Sequence, residues 1–280
     1  MRVILADTIS STIERLCIEA NRNLPKDVRD AIVRFRTKER WPAAQAALDD
    51  IIVNFALAER KEVAICQDAG IACVFIEIGQ DVHVDGNMKE AVNEGVRRGY
   101  TKGYLRSSMV KDPLLNRVNT GDNTPALIHY EIVPGDRLKI TVAPKGAGSE
   151  NMSRTAMLIP TDGVDGLRRF VLETIELAGA VPCPPVIIGV GIGGSFDRAA
   201  LLAKKALLRP LDAVNEDPRY AEIESLLLNE VNALGIGPQG FGGYTTAIGL
   251  NIEVYPCHIG QLPCAVNLGC HVTRRQTVVL

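Results

Sequence analysis

The sequence predicts an α/β fold with a helical N-terminal lobe, and three features lead there. Residues 1–62 carry helical spacing alone, whereas from Val63 onward β-prone runs intermix with helical ones. No repeat, low-complexity tract or obvious linker divides the chain. With 280 residues, 46% of them hydrophobic and 23% charged, a full core can be buried, so one large domain over residues 1–280 is expected.

In the lobe, Ser11 followed by Glu14 matches a capping box, and Ile13, Leu16, Cys17 and Ala20 then recur at helical spacing. Pro25 suits the first turn of a second helix carried by Val28, Ile32 and Val33. A third, Ala43 to Ala58, places Ala47, Leu48, Ile51, Ile52 and Phe55 on one face.

Beyond the lobe, Ala72 to Ile78 is a short β-prone run between Gly70 and Gly79, followed by a helix from Met88 to Gly99. Ser107 to Pro125 is a long polar loop, a feature more often functional than idle. Ala126–Ile132 and Arg137–Ala143 alternate around Pro134-Gly135-Asp136 and read as a hairpin. Helices are expected over Gly166–Ala180, Ser195–Leu208 and Tyr220–Leu234, with strands at Val186–Val190, Ala247–Tyr255 and Val266–Leu268.

A net charge of −2 gives no reason to expect nucleic acid or an anionic membrane as partner, and Arg274-Arg275 is too short a basic run to count. No apolar stretch approaches the roughly 20 residues of a membrane span, and Asp7 comes too soon for a signal peptide. Seven cysteines in a cytoplasmic chain favour metal or catalytic roles over disulfides.

Three of these cysteines stand where regular structure must break: Cys66 in Ile65-Cys66-Gln67-Asp68-Ala69-Gly70, Cys183 in Pro182-Cys183-Pro184-Pro185, and Cys270 in Leu268-Gly269-Cys270-His271. Thiolates suit a soft metal centre such as an iron–sulfur cluster, and three ligands would leave one iron open. The competing reading is three unrelated cysteines. Asp68 is a candidate acid/base group or a turn-stabilising residue. His258 is a candidate proton carrier, and Arg106 a candidate clamp for a carboxylate. Zinc on Cys257-His258 is weaker, because no second Cys-x2-Cys pair completes it. Gly189-Val190-Gly191-Ile192-Gly193-Gly194 formally satisfies a dinucleotide fingerprint. It is discounted because no βαβ unit opens the chain and Asp212 does not end an apolar strand.

The Cys66 loop, Lys145-Gly146-Ala147-Gly148-Ser149-Glu150-Asn151, the Cys183 segment with Gly191–Gly194, and Cys257-His258 through Cys270 together resemble the class I, iron–sulfur-dependent fumarate hydratase and L-tartrate dehydratase family. More narrowly, the chain resembles the α subunit of a two-subunit member, from about Ser11 to the C-terminus.

The resemblance implies a mixed-sheet fold like the N-terminal domain of class I fumarases. It implies a [4Fe-4S] cluster on Cys66, Cys183 and Cys270, with Asp68 and His258 catalytic and Gln67, Arg106 and the Gly148 backbone binding a dicarboxylate. Cys257 and Cys264 fall outside the ligand positions. Single-chain members carry a further C-terminal domain with arginines, a lysine and a threonine base. This chain ends at Leu280, so a separate β subunit is expected in a hetero-oligomer such as two α with two β chains. The expected reaction is hydration of fumarate to L-malate, with dehydration of L-tartrate to oxaloacetate as the alternative.

Overall fold

The computed structural model describes all 280 residues. In chain order the elements are β1 (Arg2–Leu5), α1 (Ala6–Arg22), α2 (Lys26–Lys38), α3 (Pro42–Lys61), β2 (Ile71–Gly79), β3 (Val82–Asp85), α4 (Met88–Lys102), β4 (Leu127–Val133), β5 (Leu138–Lys145) and the single turn α5 (Ala147–Glu150). There follow β6 (Arg154–Leu158), α6 (Gly163–Ala178), β7 (Val186–Gly193), α7 (Phe196–Ala206), α8 (Pro218–Ala233), β8 (Ala247–Tyr255), β9 (Leu262–Gly269) and β10 (Gln276–Val279). No helix is long and apolar enough to cross a membrane.

The chain forms two compact units: Met1–Pro25, Phe55–Ala147 and Arg274–Leu280 in the first, Lys26–Asn54 and Gly148–Thr273 in the second. The three N-terminal helices are therefore apportioned: α1 belongs to the first unit, α2 to the second, and the division falls within α3. A strand, β1, precedes them and pairs in parallel with β3. Chain emerging from that pairing enters α1 directly at Ala6, with Leu5 at the N-cap and no side-chain cap. Ser11 and Glu14 thus lie inside the helix rather than forming the expected capping box. The apolar stripe extends back to Ile9, which is fully buried.

The first unit is built on a mixed four-stranded sheet in the order β10-β5-β2-β4. Alternate residues of its two inner strands, Ala72, Val74 and Ile76 on β2 and Leu138, Ile140 and Val142 on β5, share one core with Ile13 and Leu16 of α1 and Val92 and Val96 of α4. Here the expected hairpin is corrected. β4 runs parallel to one side of β2 and β5 antiparallel to the other, so their connection arches over the end of β2. The arch takes N–H groups that a hairpin would leave to solvent: Gly79 donates to Arg137 O at 2.9 Å, Gln80 to Val133 O at 2.9 Å and Asp81 to Gly135 O at 2.9 Å. A β-carbon at Gly79 would lie 2.3 Å from Gly135 O, so only glycine lets the arch close.

The second unit carries another mixed sheet, ordered β6-β9-β7-β8, with β7 parallel to β8 and antiparallel to β9. Ile188 and Val190 of β7, Leu250 and Ile252 of β8 and Val266 and Leu268 of β9 form a core with Val171 of α6 and Leu227 and Val231 of α8. The glycine run of β7 has a packing role. A β-carbon at Gly191 would fall 2.1 Å from Ala199 O and 2.5 Å from Ala203 N, so glycine lets α7 lie against the strand at backbone distance. This accounts for the nucleotide-like spacing without a nucleotide. Gly191→Ala is expected to destabilise the protein by about 2–3 kcal/mol by overpacking. Urea unfolding measures this, and a midpoint equal to wild type would contradict the packing role.

Candidate active site

In the first unit the loop before β2 is held by groups from distant sequence. Tyr100, buried on α4, points its hydroxyl at Ala69 O (2.9 Å) and Gly70 O (3.0 Å), and Asn123 Nδ2 donates to Gly70 O at 3.1 Å. Within that loop the Asp68 N–H donates to Cys66 Sγ at 3.4 Å. The Asp68 carboxylate takes one donor on each oxygen, Gly70 N–H on Oδ1 at 3.0 Å and Ala147 N–H on Oδ2 at 2.9 Å. The first contact is the turn-stabilising role the sequence allowed. The second reaches 79 residues along the chain and ties Asp68 to the glycine loop after β5.

The Asp68 carbonyl accepts from the guanidinium of Arg274, a buried side chain. Arg274, discounted in the sequence as half of a short basic run, is thus an anchor of the Cys66 loop. Gln67 is exposed and Cys66 half-buried. Arg106 is exposed and follows directly on Leu105, which is buried in the core, at the root of the long polar loop.

In the second unit Cys183 and Cys270 are brought together through their neighbours. The backbone N–H of His271 meets Cys183 O at 3.4 Å, and His271 Nδ1 lies 3.0 Å from the same oxygen. Cys183 itself has a left-handed backbone, φ 56°, uncommon outside glycine. Gln239 completes the arrangement. Its backbone N–H and its side-chain Nε2 both donate to Pro184 O, at 2.8 and 2.7 Å, and Nε2 lies 3.2 Å from His271 Nδ1. Neither Gln239 nor His271 was singled out from sequence, although a polar residue within the glycine-rich stretch Gly235–Gly243 was a signal available there.

The Gly148 turn is fixed by Glu150, whose carboxylate accepts from Lys204 Nζ at 2.5 Å and from Asn267 Nδ2 at 2.8 Å; Gly148 itself is exposed. His258 is exposed, and its Nδ1 accepts from Gly260 N–H at 3.1 Å, which leaves the proton on Nε2. It lines two cavities of about 590 and 600 Å³, neither of which includes Cys183 or Cys270.

All seven cysteines are thiols. Cys17, Cys73 and Cys264 are buried, and burial pushes the Cys17 thiol up to about 12. Burial, reinforced by nearby Cys257, does the same to Cys264. Such thiols are inert toward metals. Cys66, Cys183 and Cys270 belong instead to the half-buried and exposed group, together with Cys257. Neither unit by itself holds three or more His, Cys, Asp or Glu side chains grouped to bind a metal ion. The donor chemistry nonetheless fits an iron–sulfur centre: accessible thiols in loops, one of them accepting a backbone N–H of the kind that stabilises cluster sulfur.

Comparison with known proteins follows the same lines. The fumarate hydratase (Fumerase) family matches over residues 10–279. The chain is 41% identical over 273 residues to a Methanocaldococcus jannaschii protein named "Putative L(+)-tartrate dehydratase subunit alpha", covering 95% of each chain. It is 33% identical over 261 residues to the L(+)-tartrate dehydratase subunit alpha of Escherichia coli O157:H7, covering 92% of this chain and 86% of the relative. The K12 protein of the same name is 32% identical over the same span and coverage. Because the match takes in the Cys66, Cys183 and Cys270 loops and nearly all of both units, the chain belongs to the fumarate hydratase (Fumerase) family.

Proposed function

We propose that this chain, a hydro-lyase by family, is the α subunit of an enzyme that reversibly hydrates fumarate to L-malate, acting as one catalytic domain over residues 1–280. The observation that carries the reading is the fastening of the Cys183 and Cys270 loops through His271, which readies two thiols for one soft metal centre. In this reading Cys66, Cys183 and Cys270 hold a [4Fe-4S] cluster. When bound, the cluster supplies a Lewis-acidic iron that polarises the carbon–oxygen bond made or broken in the reaction.

The chain's own groups do the rest. Asp68 keeps an acceptor lone pair on each carboxylate oxygen after its two N–H contacts, so it can hold the proton linked to the substrate hydroxyl. Gln67, beside it, orients the substrate, and Arg106 clamps one carboxylate through its planar fork. The Gly148 N–H addresses the other carboxylate, and His258 is a second proton carrier. Charge developing next to a carboxylate needs fixed donors, which Arg106 and Gly148 provide in part. By family resemblance a β subunit supplies the carbon-proton base and further cations, in a hetero-oligomer such as two α with two β chains. The working compartment is a reducing cytoplasm, where thiols persist.

A second reading is favoured by the names of the relatives, which are L(+)-tartrate dehydratase α subunits. L-tartrate carries one more hydroxyl than malate, and loss of water from it gives the enol of oxaloacetate.

The test is anaerobic purification with the adjacent β subunit, followed by iron and sulfide assay and turnover with fumarate, malate and L-tartrate. About four irons per α chain are expected, with the highest kcat/KM for the fumarate–malate pair. Bound zinc without acid-labile sulfide would end the cluster reading. A higher kcat/KM for L-tartrate would select the second substrate. Full activity of the α chain alone would remove the β subunit from the site.

A further inference from the structure

Gln239 is the one non-glycine residue with a left-handed backbone, φ 54° and ψ 15°, in the glycine-rich stretch between α8 and β8. Glycine or asparagine suits that conformation, and glutamine held there carries a strain that some other interaction must offset. Its half-buried side chain shows what that interaction is. Both donors of the residue converge on the carbonyl oxygen of Pro184, the residue after Cys183, and the amide nitrogen also lies 3.2 Å from Nδ1 of His271, the residue after Cys270. That Nδ1 also sits 3.0 Å from Cys183 O; with its proton donated there, it meets the Gln239 amide nitrogen in contact and not as an acceptor. One amide therefore touches the immediate neighbour of each cysteine.

We infer that Gln239 is a positioning residue that sets the spacing of the Cys183–Cys270 thiol pair, by bracing Pro184 against His271. The inference deepens the cluster reading above and rests on it for its function, but the spacing is a property of the protein without any metal. Its role differs from that of a turn residue. A residue needed only for the turn would be replaced to advantage by glycine, which adopts the left-handed region at no steric cost. A positioning residue would not be, because glycine removes the amide.

Gln239→Gly separates the two, and its relief of backbone strain keeps the variant folded. The first measurement uses the full chain, freed of iron by chelation and treated with dibromobimane. This reagent bridges two thiols as each displaces bromide, and peptide mass mapping identifies the joined Cys183–Cys270 pair. Wild type is expected to bridge, and Gln239→Gly to bridge about tenfold or more slowly, the scale on which supporting residues affect metal sites. The second uses the α chain with its partner subunit after anaerobic loading with iron and sulfide. Gln239→Gly is expected to release iron to a ferrous chelator about tenfold faster than wild type, with an altered electron paramagnetic resonance signal of the reduced cluster. Gln239→Asn, which tolerates the backbone but is one methylene short, is expected to follow glycine in both.

Bridging and iron retention at wild-type rates in Gln239→Gly would overturn the inference, as would absence of the bridged peptide in wild type. If wild type bridges and Gln239→Gly does not, while neither takes up iron, the spacing role stands and the cluster reading falls.

Discussion

Asp68→Asn is expected to lower kcat about a thousandfold, the middle of the range for losing a general acid or base, while the iron content of the loaded enzyme stays at the wild-type level. The substitution is close to isosteric but replaces one acceptor oxygen with an NH2 group. Either Gly70 N–H or Ala147 N–H then faces a donor, because the carboxylate accepts from both, one on each oxygen. Losing one such bond costs about 1–3 kcal/mol in stability, so a fall in Tm is expected as well. That fall does not account for the lost turnover once the assay is run well below the new Tm.

The chemical reason is that an amide can neither release nor take up a proton near neutral pH, whatever its geometry. Asp68→Glu is expected to recover little. Its extra methylene must push the carboxylate against the glycine loop, where a β-carbon at Gly146 would already lie 3.0 Å from Asp68 Oδ2. A kcat for Asp68→Asn within about tenfold of wild type would assign Asp68 to the turn alone.

Asp68 also shows what could be read from the sequence. The Asp-x-Gly contact is local, so the turn was visible; the bond to Ala147 joins residues 79 positions apart, and no local pattern encodes it. The same division runs through the fold. Helices α4, α6, α7 and α8 and strands β2, β7 and β8 were legible because each carries its own periodicity within a few residues. Strands β1 and β3, four residues each, have too little alternation to announce themselves and exist by pairing with one another. Alternation also located β4 and β5, but not their partner. Turn residues between two strands predict a hairpin, whereas β2, fixed by the core it shares with α1 and α4, takes the space between them. In the site, the cysteines of helix-breaking segments are half-buried or exposed, whereas Cys17, on the apolar stripe of α1, is buried, because burial follows local composition. Arg274 and Gln239 escaped notice because each acts on a loop distant in sequence.

The largest stability effect is expected at Glu39, which follows the end of α2 and is only 1% exposed. Burial alone would raise the pKa of its carboxyl, but the donors around it outweigh that. Oε1 accepts from the N–H groups of Arg40 (2.9 Å), Trp41 (3.1 Å) and Tyr244 (3.3 Å). Oε2 accepts from the N–H and the hydroxyl of Thr245, each at 2.8 Å. The net result holds the carboxyl down at about 2 against an ordinary 4.5.

Within the second unit this carboxylate closes the α2–α3 corner onto the chain entering β8, the stretch that also carries Gln239. Because the folded pKa lies below the unfolded one, the unfolded chain takes up the proton first as pH falls. The Glu39 contribution is therefore fully present above about pH 4.5 and is lost between there and about pH 2. Glu39→Gln is expected to cost roughly 3 kcal/mol at neutral pH, the free-energy equivalent of that shift. In urea titrations at a series of pH values, the gap between wild type and variant should stay constant from neutral pH to about 5 and narrow below it. A gap under about 1 kcal/mol at neutral pH, or one that does not change down to pH 3, would show that the five donors do not depend on the charge of Glu39.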